Sequence, residues 1–566
     1  NNLLLLVILV FALVLRVFKL NKVPPELFGD ELDVGYHAYS ILKEGKSYYG
    51  QFLPTYIHSF SEWRAPLLIY VTVPFVAIFG LNEWGVRLPS AFFGVLGVYL
   101  MYSLVIKLFD FNILGKKTQQ INAEHVGLLS SFLLAVIPWH LQYSRAAFEV
   151  SLLITLILLG VLFFLESINR GLMLILASVF FALTFYTYST ANLFTPLLVF
   201  LLVVVYKKKL SRISKNHKVI SVVLFAFLSL PMVYNLILGQ ASARFRNISV
   251  FTDENVISDI NKERVEGGLG FIETLAHNKV LAFGRRVLAN YTSAFSSDFL
   301  FVQGDIVFRH SIHRGELYWL VLPFLILGFY YSSRLKGEEK YLLFGWLLLA
   351  PIPASLTKDG AFHATRLILM LPPLIIFAAF ALERVLKISF VKNIKFFFMI
   401  FVVFVFLTEF SLYLHQYFHH YPKESWRWWQ VGYKEALIFM KEEEANYDIL
   451  VFNNTYEPIL IRFLFWWKYS PSNFLQEFKN DKEAEGTLPG FRGFSLTRKY
   501  WFGSAKDYPG GVIKFIKPNV LYLVSQRDEV GGYWDWEENP PQEIKVLKTI
   551  RNPYGEPIFY VVTGKI

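Results

Sequence analysis

Four short segments carry the side chains with which chemistry is done. Pro24 to Asp33 reads Pro-Pro-Glu-Leu-Phe-Gly-Asp-Glu-Leu-Asp, so the carboxylates of Asp30 and Glu31 stand side by side just after the first apolar run. Ser61 to Pro66 sets Arg64 immediately ahead of another apolar run, Pro138 to Glu149 holds Arg145 and Glu149 four positions apart, and Pro353 to Arg366 places His363 and Arg366 at the mouth of a further run. Each segment also has a plain structural reading. Asp30 suits an N-cap, with Asp33 at the third position of a helix over 31–43. Arg64 suits a cation snorkelling to lipid headgroups, and Arg145 and Glu149 suit a pair along one helical turn. For Asp30 the two readings are compatible, because a carboxylate at a helix N-terminus is oriented and electrostatically favoured by the helix dipole, as a general base requires.

The elements that must position these groups are membrane helices. Of 566 residues, 54% are hydrophobic and 17% charged, and the apolar residues are gathered into long runs rather than spread evenly. About 20 apolar residues cross a bilayer, which places crossings at 3–20, 87–108, 125–139, 150–168, 172–188, 191–206, 219–238, 316–332, 340–356, 367–383 and 396–414. The first run lacks a small-residue cleavage pattern and reads as a retained helix. Residues 66–80 form a further apolar run, bounded by Pro66 and Gly80. If that run does not cross, Lys116 and Lys117, Arg170, the Lys207 to Lys218 cluster, Arg334 to Lys340 and Arg384 to Lys395 all fall on the cytoplasmic side, as the positive-inside rule demands. The run 66–80 is therefore read as a re-entrant or juxtamembrane helix. The fold class expected is an all-α polytopic membrane protein of about eleven transmembrane helices, with a small C-terminal soluble α/β domain.

That topology puts loops 21–86, 140–149 and 239–315 and the segment 420–566 on the extracytoplasmic face, and with them all four chemical segments. The C-terminal segment differs from the rest. Its apolar runs shorten to strand length at Asp448 to Phe452, Asn519 to Val524 and Ile558 to Val562, with a charged helical stretch at 433–445. The net charge of +11 sits in loops where topology explains it, so nucleic acid is not an expected partner. With no cysteine, redox and thiolate–zinc chemistry are excluded. His415, His419 and His420 show no standard ligand spacing, so no metal site is expected. Trp426, Trp428 and Trp429 read as an interfacial anchor. Arg285 and Arg286 read as cations meeting headgroups or an anionic donor. Carboxylates and cations gathered at a bilayer surface suit a reaction on a lipid-linked phosphate: cations hold the phosphate as it leaves, and a carboxylate deprotonates the attacking hydroxyl.

On these residues the chain resembles bacterial GT-C glycosyltransferases of the protein O-mannosyltransferase and aminoarabinose transferase type. The likeness covers about 1–415. It is carried by Asp30-Glu31, by Arg87-Leu88-Pro89-Ser90-Ala91, by Ser144, Arg145 and Glu149, and by His363 and Arg366 followed by Pro372-Pro373. Family members often have Lys-Pro-Pro where this chain has Arg64-Ala65-Pro66, and Asp at the position of Glu149. The resemblance implies an inverting transfer from a polyprenyl-phosphate sugar to a hydroxyl of a protein, lipid or glycan. It implies no cofactor, catalytic roles at Asp30, Glu31 and Glu149, and donor-phosphate contacts from Arg64, Arg145, His363 and Arg366. The expected location is the cytoplasmic membrane. A lipid-linked-sugar transporter or flippase is the competing reading, but transporters carry charges at mid-membrane and repeated halves, whereas here the charges lie at the ends of the runs and no repeat is visible. A membrane scaffold displaying the C-terminal domain leaves the shared sidedness of the four segments unexplained.

Overall fold

The computed structural model describes residues 1–60, 62–109, 121–239, 247–268, 270–387, 392–478, 491–532 and 534–565. Each apolar run folds as a helix: α1 Asn2–Val17, α2 Gly29–Glu44, α3 Leu67–Phe79, α4 Glu83–Leu108, α5 Ala123–Val136, α6 Pro138–Tyr143, α7 Glu149–Ser167, α8 Met173–Thr184, α9 Ala191–Val205, α10 Lys215–Ile237, α11 Val321–Ser333 and α12 Glu338–Leu349. Two longer ones follow, α13 Ala364–Lys387 and α14 Lys395–Glu424. Among the described residues, α4, α7, α10, α13 and α14 are long and apolar enough to cross a membrane. The other expected crossings are shorter, for visible reasons. Helix α5 stops at Ile137, which Pro138 forces into an extended conformation, and α12 gives way at Pro351. Lys116 and Lys117 lie outside the described residues.

Helix α13 is buried along nearly its whole length and forms the centre of the bundle, while α10 and α14 turn exposed apolar side chains such as Phe227, Leu230, Phe401 and Phe404 outward. The run 66–80 is the 13-residue helix α3. It is preceded by a small antiparallel hairpin, β1 Ile57–Ser59 and β2 Glu62–Arg64, whose second strand ends on Arg64. Charges pair at the far ends of the helices, where Lys107 meets Glu166 at 3.2 Å, Lys209 meets Glu338 at 3.2 Å and Lys387 meets Glu383 at 2.5 Å.

Beyond α14 the chain forms α15 Tyr433–Glu442, β3 Ile449–Asn453, α16 Leu460–Trp467, β4 Arg492–Leu496, β5 Tyr500–Ser504, β6 Val520–Ser525, β7 Ile544–Arg551 and β8 Pro557–Gly564. The strands make one sheet in the order β4-β5-β3-β6-β8-β7, parallel across β5-β3-β6 and antiparallel elsewhere. The sheet domain expected from 448–452, 519–524 and 558–562 is present, with three further strands. It does not hang free: Leu32 and Tyr36 of α2 share a hydrophobic core with Leu437, Phe463, Phe465 and Phe502. Gly35 makes that contact close, since a Cβ there would stand 2.6 Å from both Phe465 and Val86.

Candidate active site

Two buried arginines fix the path of the chain into α2. Arg145 donates to the carbonyls of Arg16 at 2.9 Å, Phe18 at 2.7 Å and Val23 at 3.0 Å, and to Leu15. It thus caps the carbonyl end of α1, where a cation is favoured. Its guanidinium lies 4.9 Å from the Phe418 ring centroid. Arg87 donates to Leu20 at 3.0 Å, Pro24 at 2.8 Å and Glu26 at 2.7 Å, and grips Glu31 two-pronged at 2.9 and 2.8 Å. Glu31 also accepts from the Ala147 N–H at 2.9 Å. Arg145, Arg87 and Glu31 are all fully buried. Glu31 and Arg145, expected to work on substrate, instead spend their polar groups inside the framework. Residues 144–148 are a turn between α6 and α7, so no helical turn joins Arg145 to Glu149.

Helix α2 begins at Gly29 with Phe28 as its N-cap, so Asp30 is not the cap that was expected but lies in the first turn beside Glu31. At about 100° per residue the two neighbours diverge: Glu31 points into the protein, and Asp30 lines a cavity of about 240 Å³. Asp30 is held there by Arg64, whose Nη2 donates to Asp30 Oδ1 at 2.6 Å while its Nε lies 3.0 Å from Asp33 Oδ2. Asp33 in turn accepts from the Tyr48 hydroxyl at 2.6 Å, and His37 stacks on Tyr48 with ring centroids 4.0 Å apart. Burial pushes the His37 imidazole down to about 4, so it is neutral near pH 7. One guanidinium thus orients both Asp30 and Asp33.

The same cavity is lined by Glu149, at the first position of α7, and by His363 and Arg366 at the start of α13. Both cavity carboxylates thus sit at helix N-termini, where negative charge is stabilised. Arg366 donates to the Thr357 hydroxyl at 2.7 Å and pairs with Asp359. Burial pushes His363 down to about 4, reinforced by the Arg366 charge, and its Nδ1 meets the Thr365 hydroxyl at 2.8 Å. Five of the seven expected site residues therefore converge, namely Asp30, Arg64, Glu149, His363 and Arg366, whereas Glu31 and Arg145 stand behind the wall.

Two basic lining residues went unnoticed in the sequence, Arg309 and His310. They lie in the long loop 239–315, where no helical or strand period marks them. The adjacent Arg-His dipeptide was the only signal. Arg309 stacks 4.0 Å from the Phe28 ring centroid and donates to the Trp428 carbonyl at 3.2 Å. Behind His310 stands Asp305, 3.2 Å from Nδ1, which also accepts from Tyr143 at 2.5 Å. Although burial would raise it, Asp305 is held below the usual carboxylate range by the hydrogen bond and charge of His310. Trp429, expected as an interfacial anchor, is instead buried and donates to the Arg309 carbonyl at 3.1 Å, while Trp428 remains half-exposed and stacks on Phe308. His415 and His420 meet through Nε2 at 3.0 Å, away from the cavity. Among the described residues there is no cluster of three side chains able to hold a metal.

Residues 63–234 match the family model described as dolichyl-phosphate-mannose-protein mannosyltransferase, a stretch that contains Arg64 and Glu149. Over 99% of this chain and 97% of the other, the fold matches ArnT from Cupriavidus metallidurans bound to undecaprenyl phosphate, with 12% identity and a TM-score of 0.52. The apo state of that protein matches over the same spans with a TM-score of 0.51. The archaeal oligosaccharyltransferase AglB from Archaeoglobus fulgidus, in complex with an inhibitory peptide and a dolichol-phosphate, gives 14% identity and a TM-score of 0.46 over 78% of this chain. This chain spans 58% of that protein's length. No curated protein matches. The family match over residues 63–234 and the fold shared with ArnT agree with the resemblance read from the sequence.

Proposed function

We propose that the protein transfers a sugar from a polyprenyl-phosphate carrier to a hydroxyl acceptor at the extracytoplasmic face of the cytoplasmic membrane, with inversion and without a cofactor or metal. One observation carries the reading: a single cavity is lined by two helix-N-terminal carboxylates, Asp30 and Glu149, by the guanidinium groups of Arg309 and Arg366, and by His310. The acceptor hydroxyl gives its proton to Asp30 as its oxygen bonds to the anomeric carbon. The bond from that carbon to the phosphate oxygen breaks, and the charge left on the polyprenyl phosphate is met by Arg309, Arg366 and His310. Arg64 orients Asp30 rather than binding phosphate, because two carboxylates already hold it. Glu149 positions the acceptor, and neutral His363 contributes a hydrogen bond rather than a charge. ArnT with undecaprenyl phosphate shares the fold, which supports a donor of that class.

The division into a transmembrane part over 1–415 and an extracytoplasmic domain over 420–566, with about eleven crossings, belongs to the same proposal. Its support is that cavity residues cluster at one end of the helices, while Lys107, Lys209 and Lys387 sit at the other. The test is to incubate purified protein in vesicles with a labelled polyprenyl-phosphate hexose. Sugar attached to a hydroxyl supports transfer. Movement of intact donor between leaflets, or neither outcome, overturns it.

A further inference from the structure

A second cavity, of about 280 Å³, lies in the C-terminal domain. Its walls combine the rings of Trp426, Tyr456 and Phe559 with the polar groups of Arg427, Gln526 and Glu556. Arg527 lies 4.4 Å from the Tyr456 ring centroid, and Asn552 donates to Glu556 Oε2 at 2.8 Å. Gln526 commits its Nε2 to the carbonyls of Gly532 at 3.3 Å and Trp534 at 3.0 Å, and its buried Oε1 has no hydrogen-bond partner. The cavity is also coupled to the first. Trp426 and Arg427 line one, and the next residues, Trp428 and Trp429, hydrogen-bond to Arg309, which lines the other.

Aromatic faces beside planar amide, guanidinium and carboxylate groups match a sugar ring, which offers a C–H face for stacking and hydroxyls that donate and accept. We infer that this cavity binds a sugar ring of a glycan, so that the acceptor of the proposed transfer is itself a glycan. The word acceptor rests on the proposed function; the binding of sugar does not. Sugar hydroxyls donate to Glu556 and accept from Arg427, while the ring lies against Trp426. A peptide would require a longer groove than a cavity of about 280 Å³ provides.

The full-length protein in detergent is applied to an array of hexose-, hexosamine- and deoxyhexose-containing mono- to tetrasaccharides, with Ser/Thr peptides and glycerophosphate on the same slide. Glycans are expected to bind. Glu556→Ala and Trp426→Ala each weaken that binding by about ten-fold, the worth of one good hydrogen bond or ring contact. Saturation-transfer NMR on the unmutated protein gives a second reading that depends on no variant: irradiating the aromatic resonances must saturate ring protons of the bound sugar. Retention of no glycan, capture of the peptides or glycerophosphate instead, or absence of saturation transfer overturns the inference. So does glycan binding indifferent to both substitutions. If glycans bind but labelled donor is never transferred, the proposed function fails and this site stands. If transfer proceeds but no glycan binds, only this inference fails.

Discussion

Replacing Glu31 by Gln separates framework from chemistry. Gln keeps the shape of Glu31 but removes the charge that balances Arg87, and both groups are fully buried with two short hydrogen bonds between them, 2.9 and 2.8 Å. Removing one partner of a buried ion pair costs about 3–5 kcal/mol, because the other charge stays desolvated and unpaired. Arg87→Met is harsher still. It also strands the carbonyls of Leu20, Pro24 and Glu26, each at about 1–3 kcal/mol, and is expected not to accumulate as folded protein. For Glu31→Gln the assay is denaturant unfolding in detergent followed by tryptophan fluorescence, with donor KM measured on the folded fraction. The expected result is a loss of about 3–5 kcal/mol in stability with KM unchanged. Full stability combined with abolished transfer would show that Glu31 acts on substrate, and the framework assignment would be refuted.

Arg309→Ala removes a cation from the cavity wall and should raise the KM for the lipid-linked donor by about 10- to 100-fold, the worth of a charge-assisted hydrogen bond to phosphate; an unchanged KM sinks its role. His37 and His363 are both pushed by burial to about 4, below the ordinary histidine value of about 6.5. The unfolded chain therefore binds protons that the native state refuses, so stability is complete above about pH 6.5 and falls as the pH drops towards 4. Unfolding midpoints measured across that window should show the decline, and His37→Gln should flatten part of it. Gly35→Val drives a side chain into Phe465 and Val86. It should cost about 1–3 kcal/mol and expose the C-terminal domain to limited proteolysis, while a digestion pattern identical to the parent's would contradict the shared core.

How far the sequence could be read depended on the kind of signal. Apolar runs fix where helices lie, and every run drawn from hydropathy is helical, but hydropathy does not locate breaks such as those at Ile137 and Pro351. Hence the expected crossings come out shorter in several places. The convergence of Asp30, Arg64, Glu149, His363 and Arg366 was legible because four sit at helix ends and Arg64 at the end of the hairpin before α3, all assigned to one side. The division of labour between Asp30 and Glu31 was not. Adjacency in sequence looks like a pair, whereas helix geometry sends one to the cavity and the other to Arg87. Spacing held a better clue, since Asp30, Asp33 and His37 recur at three and four residues and share a face of α2. Arg145 misled for a related reason: a charged residue between two apolar runs reads as a surface group, and only the fold shows that the unsatisfied carbonyls of α1 come to it. Arg309 and His310 reach the cavity through a loop whose path no periodicity encodes.

The central claim is that Asp30 accepts the proton of the attacking hydroxyl. Asp30→Asn keeps the hydrogen bond to Arg64 within reach and the fold intact, so the variant should bind the polyprenyl-phosphate sugar as the parent does while sugar transfer falls by at least about 100-fold, the usual worth of a positioned general base. Transfer at the parent's rate by folded Asp30→Asn protein would contradict the account.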